Sequence, residues 1–182
     1  MNGDVKFGSA SPLGLVAFGL STVILNIHNT GVLPLNSVMV CTAIFFGGLA
    51  QVIAGIIEFS RNNSFGGTAF VAYGCFWFAL AGIWVFPSLS IAPPADPVSL
   101  GVFLLLWGIF TLYMFIASLK HRKALQVVFG TLTILFILLA IANFTGNYAV
   151  ELIAGIEGMF CGGSAIYLSM VETIEDAFKS KA

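Results

Sequence analysis

The sequence predicts an all-α, polytopic membrane protein of six transmembrane helices, with the N- and C-termini on the cytoplasmic side. The first two observations are compositional: of 182 residues, 59% are hydrophobic and only 8% are charged. Since a soluble domain carries about 25% charged residues, this chain cannot cover its surface with groups that water solvates. The third observation is that the apolar residues form six runs of the length that a bilayer requires, roughly 20 residues each.

Short breaks separate the six apolar runs. They hold turn residues or charges, as in the proline-rich segment 93–97 and the basic segment 120–123. Because the breaks are short, consecutive helices are expected to be antiparallel neighbours. Residues 1–182 are therefore expected to form a single six-helix transmembrane domain, with spans at about 13–30, 37–59, 67–89, 99–119, 124–144 and 148–171.

The basic residues predict the orientation, because lysine and arginine collect on the cytoplasmic side of membrane proteins. With six spans, all seven basic residues fall on one side of the membrane and none on the other. They are Lys6, Arg61, Lys120, Arg122, Lys123, Lys179 and Lys181. The charge pattern therefore supports both the number of spans and the cytoplasmic location of the two termini.

Polar residues within the spans are expected to line a cavity or to pair between helices, because an unpaired polar group in hydrocarbon is costly. On the first span Thr22, Asn26 and Asn29 share one helical face, which Phe18 extends by another turn. Two interpretations are open: a hydrogen-bond network between helices, or a polar pathway interrupted by an aromatic ring. Further polar residues within spans are Gln51 and Thr133.

Acidic residues differ in their predicted depth. Glu58 lies at the cytoplasmic end of the second span, three residues before Arg61, and is expected to form an interfacial ion pair with it. Glu157 lies about two turns into the sixth span. Two interpretations are open: it faces a wet outer vestibule, or it serves as a proton-titrating site. The acids near the C-terminus are expected to form a solvated tail: Glu172, Glu175 and Asp176.

Small residues recur at a spacing of four on the sixth span, where Ala154, Gly158 and Gly162 would let two helices touch along their backbones. A similar glycine-rich face is present on the second span. The sequence leaves two interpretations open, packing within one six-helix bundle and packing between subunits.

Several functional classes have no support in the sequence. It contains no nucleotide-binding loop, no cluster with metal-ligand spacing and no nucleophile with a neighbouring base, so neither enzyme activity nor a metal or cofactor is expected. The net charge of −1 offers no basic field for nucleic acid. Since no lysine or arginine lies within a span, an anionic solute would depend on helix N-termini, amides and hydroxyls, or would cross as the neutral acid.

Three stretches of the sequence resemble the acetate uptake transporters, also called the succinate–acetate permease family. The first begins with Ser-Pro-Leu-Gly-Leu at residues 11–15 and continues to residue 29, similar to the family signature Asn-Pro-Ala-Pro-Leu-Gly-Leu and the helix after it. The others are Gly47-Gly48-Leu49-Ala50-Gln51 through Tyr73-Gly74-Cys75-Phe76-Trp77, and Cys161-Gly162-Gly163-Ser164-Ala165-Ile166-Tyr167. The chain departs from the family pattern at residues 9–11 and at Asn62-Asn63-Ser64-Phe65, both at the predicted cytoplasmic edge.

The resemblance implies a six-helix protomer that contains its own pore and assembles into a homo-hexamer in the plasma or inner membrane. It also implies a constriction formed by Phe18, Tyr73 and Leu132, with Leu132 and Ala165 shaping substrate choice. The expected function is a permease or channel for acetate and similar monocarboxylates, with succinate as another substrate and proton coupling undecided. The alternatives are a channel for formate, ammonia or water, or a membrane sensor.

Overall fold

The computed structural model describes residues 8–179, and within them six helices are long and apolar enough to cross a membrane. These residues contain no β-strand, and the prediction of an all-α polytopic membrane protein is confirmed. The basic residues Lys6 and Lys181 lie outside the described residues. The helices are α1 Ser11–Asn29, α2 Ser37–Ser60, α3 Ser64–Val85, α4 Pro97–Ser118, α5 Lys123–Thr145 and α6 Tyr148–Lys179.

Side-chain caps determine where three of the helices begin. The Asn36, Asn63 and Asp96 side chains accept hydrogen bonds from backbone N–H groups in the first turns of α2, α3 and α4, at 2.9–3.0 Å. Such caps satisfy N–H groups that have no partner within the helix. The Ser99 hydroxyl and these N–H groups also hold the pKa of the Asp96 carboxyl below its usual range. Because Asn63 is the cap, α3 begins three residues before its expected start.

The six helices form a ring in the order α1 to α6, and α6 closes the ring by packing against α1. Adjacent helices approach one another closely, except for α3 and α4, which meet through aromatic side chains. Phe76 of α3 stacks on Phe103 of α4 with ring centroids 5.6 Å apart, and Tyr73 meets Phe110 edge-on at 5.4 Å. The aromatic rings therefore fill a wider gap between α3 and α4.

Small residues allow α1 and α6 to touch along their backbones. A Cβ atom added to Gly162 would lie 2.7 Å from the carbonyl oxygen of Gly19, and one added to Gly19 would lie 2.7 Å from that of Gly162. Gly158 abuts the side-chain amide of Asn26. The small face of the last helix is thus used inside one protomer, which selects between the two interpretations that the sequence left open.

The middle of α2 departs from α-helical geometry. Residues Thr42–Ala50 form a π-helical segment, in which the hydrogen bonds join residues five apart. Two glycines in this segment bring α2 close to α3: Gly47 faces the Trp77 ring, and a Cβ on Gly74 would lie 2.9 Å from the Gly48 carbonyl oxygen. The segment ends immediately before Gln51.

The outward faces of the helices expose large apolar side chains, as lipid contact requires; examples are Phe45, Leu106, Ile116 and Phe160. At one end of the bundle α1 begins and α6 ends, and the Ser169 hydroxyl donates to the Pro12 carbonyl at 2.6 Å. We call this end the basic end, because it carries the described basic residues Arg61, Lys120, Arg122, Lys123 and Lys179.

Candidate functional site

A cavity of about 360 Å³ runs from exposed residues at the basic end to buried residues inside the ring. Its mouth is polar and charged, with lining residues from the segment before α1, the α4–α5 loop and the end of α6. Its deep part is mostly apolar and is lined by side chains from α1, α2, α3 and α5: Leu15, Phe18, Gln51, Ala69, Phe70, Tyr73, Val128, Phe129 and Leu132.

The three residues of the expected constriction all line this cavity. Phe18, Tyr73 and Leu132 come from α1, α3 and α5 and are 6%, 3% and 3% exposed. The Phe18 and Tyr73 ring centroids are 6.0 Å apart, tilted by 49°. The fold therefore brings together three side chains that are far apart in the sequence, and their role as a constriction remains a prediction.

Thr111 of α4 fixes the position of the Tyr73 ring. The Tyr73 hydroxyl donates to the Thr111 hydroxyl at 2.9 Å, and Thr111 in turn donates to the Trp107 carbonyl at 2.7 Å. Phe110 and Phe129 also contact the Tyr73 ring, with centroids 5.4 and 6.2 Å away. Sequence reasoning missed Thr111; the available signal was a threonine hydroxyl within a mostly apolar stretch of the fourth span.

Gln51 brings an amide group to the deep part of the cavity. It is the first residue after the π-helical segment, its side chain is 1% exposed, and no described group hydrogen-bonds to its carbonyl oxygen Oε1. The structure thus places this predicted path residue beside Phe18 and Tyr73 in the cavity lining.

The other residues of the predicted substrate path do not line the cavity. The Asn26 amide donates to the Thr22 carbonyl at 2.8 Å and accepts from Asn29 at 3.0 Å, which forms a network along α1 where it packs against α6. The Thr133 hydroxyl donates to the Phe129 carbonyl at 2.8 Å within α5, and Ala165 is fully buried on α6. A role in the path remains a prediction for these five residues.

Glu157 lies on α6, farther from the basic end than the constriction. This position follows from the α1–α6 contacts, since Gly162 meets Gly19 beside Phe18, and Gly158 meets Asn26 two turns further along α1. Both carboxyl oxygens of Glu157 are buried without a hydrogen-bond partner among the described residues. Its assignment as a proton site remains a prediction.

Glu58 differs from the expected interfacial residue. Its carboxylate lies 3.8 Å from Arg61 Nε, as predicted, but the side chain is only 2% exposed. It accepts hydrogen bonds from the backbone N–H of Ala10 at 2.7 Å, from the Asn63 amide at 2.7 Å and from the Ser9 hydroxyl at 3.3 Å. Glu58 therefore fastens the segment before α1 to the α2–α3 loop at the edge of the cavity.

The acids near the C-terminus also differ from expectation. They belong to α6, which continues to Lys179, and they line the mouth of the cavity rather than forming a separate tail. Glu175 receives two hydrogen bonds from the guanidinium of Arg122, at 2.9 and 3.3 Å, and lies 3.8 Å from Lys179. His121, next to Arg122, stacks on Phe65 with centroids 4.6 Å apart.

Sequence and structure comparisons show that the chain is similar to known membrane transport proteins. The succinate-acetate/proton symporter SatP of Escherichia coli (strain K12) is 46% identical over 176 residues, which cover 97% of this chain and 94% of SatP. The solved structure of the bacterial acetate channel SatP superposes with a TM-score of 0.94 at 46% identity, covering 96% of each chain. The ammonia transport outward protein 2 of Saccharomyces cerevisiae is 36% identical over 170 residues, which cover 89% of this chain and 60% of that protein.

The family assignment follows from these matches and from a family model. The model of the GPR1/FUN34/yaaH family matches residues 2–180, and the resemblance seen in the three sequence stretches is confirmed. The named relatives are transport proteins, in agreement with the prediction that the chain is not an enzyme. The chain is a multi-pass membrane protein that belongs to the GPR1/FUN34/yaaH family.

Proposed function

We propose that this protein is a permease or channel for acetate and similar short monocarboxylates, with succinate as another substrate. The observation that carries the proposal is the 46% identity to a succinate-acetate/proton symporter over 97% of the chain. The cavity supports the proposal, since its polar mouth leads to a mostly apolar deep part and its volume of about 360 Å³ suits a small solute. The protein acts in the plasma or inner membrane.

The proposed mechanism is passage through one pore in each protomer. From either end of the pore, the solute loses water as it reaches the constriction of Phe18, Tyr73 and Leu132. A bare charge in such an apolar place is strongly disfavoured, so the constriction favours passage together with a proton. In this mechanism Leu132 limits the size of the solute, and Ala165 leaves room behind the constriction.

Beyond the constriction, we place the remainder of the path along α1, α5 and α6. Thr22, Asn26, Asn29 and Thr133 supply hydroxyls and amides there, and Glu157 is the residue that accepts the proton. The buried carboxyl oxygens of Glu157, which have no described partner, support this role. If Glu157 accepts the proton, Glu157→Gln slows proton uptake with acetate, whereas a purely structural role predicts unchanged uptake in a variant that folds.

Orientation and assembly are two further parts of the proposal. The basic end faces the cytoplasm, as its lysines and arginines favour, and the protomers form a homo-hexamer. A reporter fused after Ala182 should be active only as a cytoplasmic reporter. Native mass spectrometry of the purified protein should give six chains per particle; a single chain or another count would contradict the assembly.

The experiment that tests the function is uptake of labelled acetate into proteoliposomes, with and without an imposed pH gradient. Accumulation driven by the gradient, in excess of protein-free liposomes, indicates proton coupling, whereas equilibration alone indicates a channel. No uptake above protein-free liposomes would contradict the proposed function.

Ammonia is a second candidate solute, because a relative 36% identical to this chain is named as an ammonia transport protein. The same proteoliposomes distinguish the two solutes. If acetate is the substrate, unlabelled acetate and succinate lower the uptake of labelled acetate, and ammonium, formate and a neutral osmolyte do not. Ammonium-induced alkalinisation without acetate uptake would favour the second candidate.

A further inference from the structure

The deep part of the cavity contains a buried hydrogen-bond acceptor for which the described residues provide no donor. This acceptor is Oε1 of Gln51, whose side chain is 1% exposed and lines the cavity. The Tyr73 hydroxyl, which belongs to the same cavity lining, already donates to Thr111 at 2.9 Å. A buried acceptor without a donor destabilises a fold, so its presence in a cavity indicates that a solute or water supplies the donor.

The chemistry of the amide discriminates between the two forms of a carboxylic acid. An ionised carboxylate offers acceptors only, whereas the neutral acid has an O–H donor beside a carbonyl acceptor. A primary amide presents an N–H donor beside a carbonyl acceptor, which is the complementary pair. The amide and the neutral acid can therefore join through two parallel hydrogen bonds, whereas the anion would place a negative oxygen against Gln51 Oε1.

The charges around the cavity do not favour an anion at this depth. Its charged and titratable lining residues lie at the mouth, apart from Tyr73, whose hydroxyl is engaged. On α2 itself, Glu58 lies seven residues further along and is held by Ala10 and Asn63. The groups at the mouth are His121, Arg122, Glu172, Glu175, Asp176 and Lys179.

We propose that the Gln51 amide selects the neutral acid at the constriction, so that the proton enters on the solute itself. This inference rests on the proposed function. It separates selection of the solute from exchange of its proton: Gln51 recognises the protonated carboxyl group on the basic-end side of the constriction, and Glu157 exchanges the proton on the other side. Transport is then coupled to protons because the amide binds the protonated form of the solute.

Acetamide is the probe for this inference, because it has the shape of acetic acid, a donor beside an acceptor, and no charge near neutral pH. Uptake of labelled acetate by wild-type proteoliposomes, corrected for protein-free liposomes, should follow the concentration of acetic acid. At fixed total acetate it should fall about tenfold for each unit of pH above the pKa of the acid. Acetamide should inhibit acetate uptake, and its inhibition constant, expressed against acetic acid, should not change with pH.

The decisive variant is Gln51→Leu, which keeps the approximate volume and removes both hydrogen-bonding groups. Acetate uptake should fall about tenfold, the loss expected for one good hydrogen bond, and inhibition by acetamide should disappear. The thermal stability should stay the same or increase, because the variant removes an unpaired buried polar group. The matched control is Met114→Leu, a volume-conserving change on α4 outside the cavity lining, which should transport as the wild type does.

Two results would overturn the inference and leave the proposed function intact. One is a Gln51→Leu protein that carries acetate and responds to acetamide like the wild type. The other is wild-type uptake that rises with the acetate anion at constant acetic acid. If wild-type proteoliposomes take up no acetate above protein-free liposomes, the proposed function is wrong and the inference falls with it.

Discussion

At the scale of single residues, Leu132 is the constriction residue whose effect on solute size can be isolated. Its side chain is 3% exposed and lines the cavity with Phe18 and Tyr73. Leu132→Ala should widen the constriction, so the ratio of butyrate to acetate uptake in proteoliposomes should rise about tenfold or more, since each methylene group in an apolar pocket changes discrimination by at least about that factor. Phe18→Ala should change the ratio in the same direction.

Leu135 provides the matched control for that prediction. It is also 3% exposed and lies on α5, three residues further on, but it does not line the cavity. Both alanine variants remove a buried leucine and should lower stability by about 2–5 kcal/mol. Only Leu132→Ala should alter the butyrate-to-acetate ratio, and equal ratios in the two variants would show that Leu132 does not limit solute size.

The hydrogen bond between Tyr73 and Thr111 gives a second prediction. Thr111→Val leaves the buried Tyr73 hydroxyl without its partner, which should cost about 1–3 kcal/mol of stability. Tyr73→Phe should cost less, because Thr111 can still donate to the Trp107 carbonyl. In the Tyr73→Phe background, Thr111→Val should therefore cost much less than in the wild type.

Thermal unfolding of the four proteins in one detergent measures this double-mutant cycle. Additive effects would show that the hydroxyl–hydroxyl contact does not stabilise the fold. The cycle also tests why the sequence could not predict Thr111: its partner is 38 residues away and belongs to another helix, so no local pattern marks the pair. The family resemblance identified Phe18, Tyr73 and Leu132, because a resemblance does not depend on a local pattern that marks a pair of residues.

At the scale of helices, the contact between α1 and α6 can be tested with two adjacent glycines. A Cβ on Gly162 would lie 2.7 Å from the Gly19 carbonyl oxygen, whereas a Cβ on Gly163 meets no atom within 4 Å. Gly162→Ala should therefore force the helices apart and lower stability by about 1–3 kcal/mol. Gly163→Ala should leave stability unchanged or raise it, since alanine favours the helix over glycine.

Thermal unfolding of the purified variants measures the difference. Equal stability of the two alanine variants would mean that the backbones of α1 and α6 do not touch at Gly19 and Gly162. The sequence predicted the small-residue face of α6 from its spacing, but could not identify the partner, because the same pattern suits contacts within and between protomers.

Sequence patterns predicted the number of helices but not all of their details. Apolar runs of bilayer length predicted six helices, because a segment that crosses the hydrocarbon core must be mostly apolar. The π-helical segment Thr42–Ala50 has no such signal, since a change of hydrogen-bond register alters neither hydrophobicity nor length. The continuation of α6 to Lys179 was missed because charged residues end an apolar run without ending a helix.

At the scale of the whole molecule, the ring of helices encloses the cavity within a single chain. Side chains from α1, α2, α3 and α5 line its deep part, and the α4–α5 loop and α6 contribute to its mouth. No second copy is needed to complete this lining among the described residues. The geometry therefore supports the proposal of one pore in each protomer, and mixed oligomers test it if the proposed homo-hexamer forms.

Mixed assemblies test that arrangement. Wild-type and Leu132→Ala chains are coexpressed in different ratios, purified as mixed oligomers and reconstituted. If each protomer carries its own pore, butyrate uptake should rise in direct proportion to the fraction of variant chains, while acetate uptake stays constant per protein. If the protomers shared one central pore, a single wild-type leucine would restrict every path, and butyrate uptake would follow a high power of the variant fraction. Because residues of a single chain line the cavity, butyrate uptake is expected to depend linearly on the fraction of variant chains.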